Sequence, residues 1–288
     1  MDGMTQVIDG KETAKTIKAE LKDKISALTG RKPGLAVIIV GDDKASHYYV
    51  NSKQKSCAEV GIESFKTELP ASTTKEELVQ VIEKYNKDEK VDGILLQLPL
   101  PDELRPYTQE IIDTISDTKD VDGLTTLNLG KLVSKSPDAI EPCTPKGCME
   151  LLKRYDINPS GQKAVVLGRS TLVGKPISLL LNNANATVTM THSRTQNLEQ
   201  ELKSADIIVA AIGQPELIKG NSIKKGAVVI DVGINAIERD GKRTLVGDVE
   251  YISAATNASF ISPVPGGVGP MTVAMLLQNT FELFLRRS

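Results

Sequence analysis

Three polar residues in the first third of the chain have types and spacings that make them candidates for one functional site. Tyr49 and Lys53 are four positions apart, so a helix would place both on one face. Gln97 interrupts the otherwise apolar run Ile94–Leu98, just before a proline. Because a buried amide needs hydrogen-bond partners, Gln97 at the end of a strand is a candidate site residue. Each residue taken singly also fits a solvated lysine, a packing tyrosine or a buried polar residue.

Two aspartates, Asp120 and Asp122, follow in the segment KDVDG (119–123), which enters a turn. A carboxylate there could bind a polar substrate group. Aspartate is also a common turn former, so both interpretations stay open from the residues alone.

The clearest motif for phosphate binding is GRSTLVGKP (168–176), which directly follows the apolar run of a predicted strand. A helix beginning near Gly174 would offer backbone N–H groups to a phosphate. Only the first and last glycines of the G-x-G-x-x-G motif are present, so the glycines alone fit an ordinary turn equally well. Ser193 and Arg194 follow the next predicted strand, with no acidic residue beside them. Together with Arg169, they suit a 2′-phosphate and favour NADP over NAD.

The segments that must position these residues alternate between short apolar runs, typical of strands, and segments with helical periodicity. The first block predicts helix Lys11–Leu28, strand Leu35–Val40, helix Ala45–Val60, strand Glu63–Glu68, helix Lys75–Tyr85 and strand Gly93–Leu98. Uninterrupted apolar strands between helices indicate a parallel sheet covered on both faces.

A second alternating block begins after a predicted helix that has Thr144 as its N-cap and ends near Tyr155. It predicts strands Lys163–Leu167, Thr187–Met190, Asp206–Ala210 and Ala227–Asp231, with helices Lys175–Asn183 and Leu198–Lys203. This order indicates a doubly wound α/β fold. The loop Ser262–Pro270 precedes a final helix from Met271 to Arg287, which we expect to pack on the first block.

Composition excludes several classes of protein. The 288 residues carry 35 Lys+Arg against 37 Asp+Glu, with 3% aromatic residues and no Trp, so nucleic acid is not an expected partner. Three cysteines without a CxxC pair fit a reducing compartment, and two distant histidines give no metal site. We expect no signal peptide and no membrane span, and therefore a cytoplasmic protein.

Motifs along nearly the whole chain resemble the bifunctional methylenetetrahydrofolate dehydrogenase/methenyltetrahydrofolate cyclohydrolase family. The first block contributes GD-x-x-AS (41–46) with the tyrosine and lysine above, GILLQLPLP (93–101) and KDVDG (119–123). The second contributes PCTPKG (142–147), GRSTLVGKP (168–176), HSRT (192–195) and PVPGGVGPMT (263–272). Two departures are His47, where a neutral polar residue is common, and Thr191, where cysteine is frequent.

The resemblance implies hydride transfer from methylenetetrahydrofolate to NADP, followed by hydrolysis of the methenyl product to 10-formyltetrahydrofolate. It implies that Lys53 assists proton transfer, that Gln97 holds it, that Tyr49 stacks on the aminobenzoyl ring and that Asp120 hydrogen-bonds the pterin. A lysine can accept a proton near neutral pH only if burial or a nearby cation lowers its pKa.

The resemblance also implies an α/β architecture in two domains with a cleft between them. A folate-binding catalytic domain would span residues 1–144, completed by helix 271–288, and a Rossmann-like NADP domain would span 145–270. The bend at Pro265 and Gly266 would line the shared cleft. The expected cofactor contacts are Gly168, Arg169, Ser170, Gly174, Ser193, Arg194 and Ile234. A homodimer is expected through the NADP domain.

Two other classes share part of this pattern. A two-domain NADP dehydrogenase acting on a small acid, of the shikimate type, would use a similar strand, glycine turn and helix for its cofactor. A non-enzymatic nucleotide-binding protein would do the same. Neither class explains why the lysine, glutamine, tyrosine and aspartate occur together.

Overall fold

The computed structural model describes residues 5–239 and 241–287. In chain order, its strands are β1 (Gln6–Val7), β2 (Gly34–Val40), β3 (Glu63–Leu69), β4 (Gly93–Leu96), β5 (Lys163–Leu167), β6 (Thr187–Thr191), β7 (Ile207–Ala210), β8 (Val228–Asp231), β9 (Asn235–Arg239), β10 (Lys242–Val246) and β11 (Phe260–Ile261). Its α-helices are α1 (Gly10–Ser26), α2 (Lys44–Val60), α3 (Lys75–Lys87), α4 (Thr108–Ile112), α5 (Thr126–Val133), α6 (Cys143–Arg154), α7 (Gly174–Asn183), α8 (Leu198–Ser204), α9 (Tyr251–Ala255) and α10 (Val268–Arg287). Residues 1–4 and Ser288, at the ends of the predicted domains, lie outside the described residues.

One compact unit comprises Lys15–Cys143 and the chain from Val273 onward. We call it the three-stranded unit, because its described strands form a parallel sheet in the order β3-β2-β4. Every residue of the central strand β2 is buried, as the apolar run predicts for a strand covered on both faces.

Helix α2, which carries the predicted tyrosine and lysine, has well-defined ends. The Asp43 carboxylate accepts the N–H of Ser46 at 2.7 Å, and Gly61 ends the helix with φ of 88°. Glycine takes this left-handed conformation without steric penalty, so the predicted end of the helix is confirmed.

The part of α10 from Val273 onward lies in the three-stranded unit. Its buried Asn279 donates from Nδ2 to the carbonyls of Val121 and Glu141, at 2.8 and 3.0 Å. The helix begins at Val268, earlier than the predicted Met271. Proline is tolerated in a first turn, where the N–H has no intrahelical partner, so Pro270 does not delay the start.

The other compact unit comprises the chain up to Ala14 and Thr144–Thr272. We call it the six-stranded unit, because its described strands include a parallel sheet in the order β1-β11-β8-β7-β5-β6. Counted from β5, this is the doubly wound order 2-1-3-4-5, whose switch point lies between β5 and β7. The predicted α/β class and parallel sheets are confirmed.

Several elements of the six-stranded unit differ from the predictions. Thr144 is not an N-cap, because α6 already begins at Cys143, and the Thr144 hydroxyl is hydrogen-bonded to that of Thr272 at 2.9 Å. The two-residue strands β1 and β11 and the antiparallel pair β9–β10 were not predicted. In the described part of the chain, no helix combines the length and apolarity that crossing a membrane requires.

Asp92 generates a stability prediction for the three-stranded unit. Its buried carboxylate accepts two hydrogen bonds from Arg31 at 2.6 and 2.7 Å, one from Arg287 at 3.2 Å and one from the N–H of Gly34 at 2.9 Å. We expect Asp92→Asn to lower the free energy of unfolding by about 3 kcal/mol, because it leaves buried donors and the arginine charges without their partner. Urea denaturation measures the loss.

The matched control is Glu59→Gln, which removes an ion pair at 2.7 Å between the exposed Glu59 and the partly exposed Lys18. We expect this change to cost less than about 1 kcal/mol. Equal losses in the two variants would contradict the importance of the buried carboxylate.

Candidate active site

Lys53 and Gln97 come together in the three-stranded unit. The Lys53 Nζ donates to the Gln97 Oε1 at 2.9 Å. Gln97 follows β4, and its own Nε2 donates to the carbonyl of Leu98 at 2.6 Å. This second bond fixes which way the amide faces, so the carbonyl oxygen of Gln97 is turned toward the lysine.

Tyr49 lies one helical turn before Lys53 on α2, and its side chain is half exposed. Tyr48 packs against it edge to face, with 6.0 Å between ring centroids and 74° between ring planes. The ring of Tyr49 is therefore held on one side and still has open surface for stacking on an aromatic ligand.

Asp120 is buried, and its carboxylate accepts hydrogen bonds from other groups of the protein. Its Oδ1 accepts the N–H of Leu124 at 3.3 Å, and its Oδ2 accepts the N–H of Thr125 at 2.8 Å and the Nδ2 of Asn128 at 2.9 Å. These bonds fix the turn before α5. The arrangement argues against the expected hydrogen bond from Asp120 to a pterin.

Asp122, two residues later, has a different environment. Burial of its carboxyl group raises its pKa, while the charge of Lys53 and a hydrogen bond with Cys143 act in the opposite direction. The residue as a whole keeps part of its surface exposed. The hydrogen bonds from the backbone N–H groups of Leu124 and Thr125 distinguish the structural Asp120 from Asp122.

A pocket of about 560 Å³ opens in the six-stranded unit at the switch point of the sheet. Four of the predicted cofactor residues line it: Gly168, Arg169, Ser170 and Ser193. None of the described residues that line this pocket is acidic. Such a lining suits a phosphate-bearing ligand.

The backbone N–H groups in the turn that leads into α7 are hydrogen-bonded within that turn. This differs from the expectation that they are offered to a phosphate. The Ser170 hydroxyl accepts the N–H groups of Val173 and Gly174 at 3.1 and 3.3 Å, and the Ser170 carbonyl accepts that of Lys175 at 2.9 Å. Pro176 has no N–H to offer. The start of this helix therefore holds its own turn together, and these three N–H groups are already hydrogen-bonded within the protein.

The remaining predicted residues do not line this pocket. Gly174 is buried where a Cβ would clash with the carbonyl of Gly168, so it acts on the shape of the turn. Arg194 and Ile234 are exposed. The pocket also includes residues that were not predicted as cofactor contacts, among them His192, Leu198, Ile212, Gln214 and Leu217. Their position after the carboxyl ends of β6 and β7 is the signal that could have identified them.

Pro265 and Gly266 form a bend before α10. Gly266 has φ of 107°, and its carbonyl accepts the N–H of Lys11 at 2.9 Å. Pro265 is exposed. Across residues 5–239 and 241–287, no group of three or more His, Cys, Asp or Glu side chains could hold a metal ion.

Gly168 gives a prediction for the pocket. Its φ is 112°, and a Cβ there would clash with the carbonyl of Ala211. We expect Gly168→Ala to weaken NADP binding at least tenfold in titration calorimetry, because the strand end and the Ala211 loop must separate. The control is Gly161→Ala, at φ of 77° with open space around it. It should cost about 1 kcal/mol of stability and leave binding unchanged; equal binding losses would contradict the prediction.

Sequence models of one family match most of the chain. The NAD(P)-binding domain of tetrahydrofolate dehydrogenase/cyclohydrolase matches residues 142–288, and the catalytic domain matches residues 8–122. The bifunctional protein FolD of Acetivibrio thermocellus is 56% identical over 279 residues, which cover 96% of each chain.

Solved structures agree with this match. The bifunctional enzyme FolD from Campylobacter jejuni, a methylenetetrahydrofolate dehydrogenase/cyclohydrolase, superposes with a TM-score of 0.95 at 44% identity, over 99% of this chain and 100% of that chain. The Trypanosoma brucei enzyme, solved with NADP and an inhibitor, gives a TM-score of 0.93 at 41% identity over 98% of both chains. The chain therefore belongs to the tetrahydrofolate dehydrogenase/cyclohydrolase family.

Proposed function

We infer that the two activities of this family are carried by different groups of residues in this chain. The chain oxidises methylenetetrahydrofolate with NADP and hydrolyses the methenyl product to 10-formyltetrahydrofolate, in keeping with its match to bifunctional relatives. The observation that carries the assignment of residues is the hydrogen bond between Lys53 and Gln97. The two alternative classes have no role for this pair.

The pocket of the six-stranded unit fits NADP. The absence of a Cβ at Gly168 lets the strand end pack against the Ala211 carbonyl beside the pocket, and Arg169 and Ser193 suit the 2′-phosphate of NADP. We propose Arg194 and Ile234 as further contacts, and Ser170 and Gly174 as residues that shape the turn. When bound, NADP supplies the hydride acceptor.

The dehydrogenase step needs little acid–base catalysis by the protein. As the bridging carbon of methylenetetrahydrofolate gives up its hydride, the lone pairs of the two adjacent nitrogens stabilise the cation. The chain therefore contributes orientation, and we assign it to Tyr49, whose half-exposed ring can stack on the aminobenzoyl group. We propose that Pro265 and Gly266 also contact the substrate.

The hydrolytic step needs a proton acceptor. Water attacks the methenyl carbon and loses one proton to Lys53, which leaves a neutral hydroxyl adduct. As the bond from that carbon to N5 breaks, the remaining hydroxyl proton passes to N5, and the formyl group stays on N10. The Gln97 Oε1 accepts an N–H of the lysine, which leaves the lone pair of a neutral amine free to face the water.

Asp122 is the carboxylate that we assign to the substrate, in place of Asp120. The charge of Lys53 acts to lower the pKa of the Asp122 carboxyl group. Asp120 differs, because its carboxylate accepts backbone N–H groups. A carboxyl group there can hydrogen-bond the polar edge of a pterin.

We propose domain boundaries at 1–144 with 271–288, and at 145–270. The division of the two compact units near residues 143 and 272 supports them, but it groups the chain up to Ala14 with the six-stranded unit. A homodimer through the six-stranded unit is also proposed. Its sheet ends at the edge strand β6, where Met190 is 39% exposed, and such an edge favours a covering partner. The cysteines Cys57, Cys143 and Cys148 are buried and form no disulfide, which supports a cytoplasmic location.

Lys53→Met tests the assignment of the hydrolytic step. We expect hydrolysis to fall at least about 100-fold, because the proton acceptor is gone, while dehydrogenation stays measurable. Given methylenetetrahydrofolate and NADP, the variant should accumulate the methenyl product, which is followed by its absorbance, with NAD assayed in parallel. The matched control is Lys55→Met, an exposed lysine on the same helix, which should behave as the wild type. An equal fall in both activities would contradict the role of Lys53.

Substitution of each of the two aspartates of KDVDG should have a different effect on the protein. We expect Asp122→Asn to raise the KM for methylenetetrahydrofolate about tenfold with little change in Tm, since it weakens a charged hydrogen bond to substrate. Asp120→Asn should instead lower the free energy of unfolding by about 1–3 kcal/mol, because its amide would face backbone donors. The reverse pattern would return the substrate role to Asp120.

A further inference from the structure

Two buried aspartates lie beside the NADP pocket without lining it. Asp231 is the last residue of β8 and Asp248 follows β10, and both are almost fully buried. Neither belongs to the residues that the motifs single out. Buried carboxylates need hydrogen-bond donors, and here the donors are the loops around the pocket.

Asp248 binds the loop that follows β7. Its Oδ2 accepts the N–H groups of Ile212 and Gly213 at 2.7 and 3.0 Å, and its Oδ1 accepts that of Gln214 at 2.9 Å. The Oδ1 also accepts the Nδ2 of Asn235 at 2.9 Å. Because Ile212 and Gln214 line the pocket, Asp248 sets the shape of this part of its wall.

Asp231 binds the next loops along the sheet. Its carboxylate accepts the N–H groups of Gly233, Asp248 and Val249 at distances between 2.9 and 3.0 Å. Its own N–H donates to the Ser262 hydroxyl at 2.8 Å. The two carboxylates therefore join the ends of β7 and β8 to the segment after β10.

Two glycines show how closely the carboxylates pack. A Cβ on Gly233 would clash with the Asp248 carboxyl, and a Cβ on Gly247 would clash with that of Asp231. Ile234, a proposed cofactor contact, lies between two residues that these carboxylates hold, Gly233 and Asn235.

We propose that Asp248 and Asp231 are positioning residues for NADP: they hold the loops after β7 and β8 in the binding conformation without touching the cofactor. This inference rests on the proposed function, since it takes the pocket to be the NADP site. The seven donors described above fit ionised carboxylates, so the ionised pair is the binding-competent form.

The charge of Asp231 depends on pH in an accessible range. Burial raises the pKa of Asp231 to about 6, and the neighbouring Asp248 carboxylate acts in the same direction. The other groups in contact with Asp231, from Gly233, Val249 and Ser262, are backbone amides and a hydroxyl. Asp231 gains a proton as the pH falls through about 6, so NADP affinity should fall with it.

Titration calorimetry with NADP tests the positioning role. At pH 7.5 we expect Asp248→Asn to raise the dissociation constant at least tenfold, because the new amide would face backbone donors. The matched control is Asp206→Asn at the amino end of β7, where the carboxylate accepts the N–H of Lys163 far from the pocket edge. Its dissociation constant should stay that of the wild type. Unchanged affinity in Asp248→Asn would overturn the inference, whereas a wild type that fails to bind NADP would contradict the proposed function.

Hydrolysis of methenyltetrahydrofolate, which consumes no NADP, reports whether a variant is folded. If Asp248→Asn does not fold, Asn235→Ala removes only one of the four donors to Asp248 and should weaken NADP binding about threefold to tenfold. Unchanged affinity in the folded Asn235→Ala would then overturn the inference.

The pH profile of the dissociation constant separates positioning from a merely structural role. A phosphate monoester of the ligand also titrates near pH 6, so the wild type is compared with Asp231→Asn. We expect Asp231→Asn to bind NADP more weakly at pH 8 and to change less between pH 8 and 5.5. Parallel profiles in the two proteins would contradict a role for the charge of Asp231.

Discussion

Backbone N–H groups at the carboxyl edges of parallel strands have no partner in the sheet, and in this protein buried aspartates accept them. Asp231 and Asp248 do so in the six-stranded unit, and in the three-stranded unit Asp120 does the same for the turn before α5. A buried amide left without an acceptor costs about 1–3 kcal/mol, so these loops have few alternative conformations. The loops around both candidate sites are therefore held by carboxylates that bond to the backbone of the protein itself.

Hydrophobic patterning predicted the regular part of the fold. Long apolar runs such as those of β2 and β5 are recognisable because both faces of a central strand are buried. The two-residue strands β1 and β11 carry no periodic signal, since their place is fixed by pairing with a sheet far away in sequence. Prolines in the first turns of α6 and α10 masked their starts, because a proline at that position does not end a helix.

The residues of the candidate site could be predicted from their types and motifs, whereas the geometry of the site could not. Spacing on a helix is local, so Tyr49 and Lys53 could be placed together from the sequence. Which aspartate of KDVDG is committed to the backbone depends on the turn that follows, and residue type alone cannot separate Asp120 from Asp122. The same limit applies to the GRSTLVGKP turn, where the Ser170 hydroxyl takes the amide hydrogens expected to meet a phosphate.

The docking of α10 has a consequence for how the protein is made. The carbonyl of Val91 accepts a hydrogen bond from Arg287, which lies 196 residues later in the chain. During synthesis on the ribosome, Asp92 of the three-stranded unit lacks its partner Arg287 until the chain of the six-stranded unit has been made. Translation order thus delays completion of the three-stranded unit, and during that interval its uncovered apolar surface is open to aggregation.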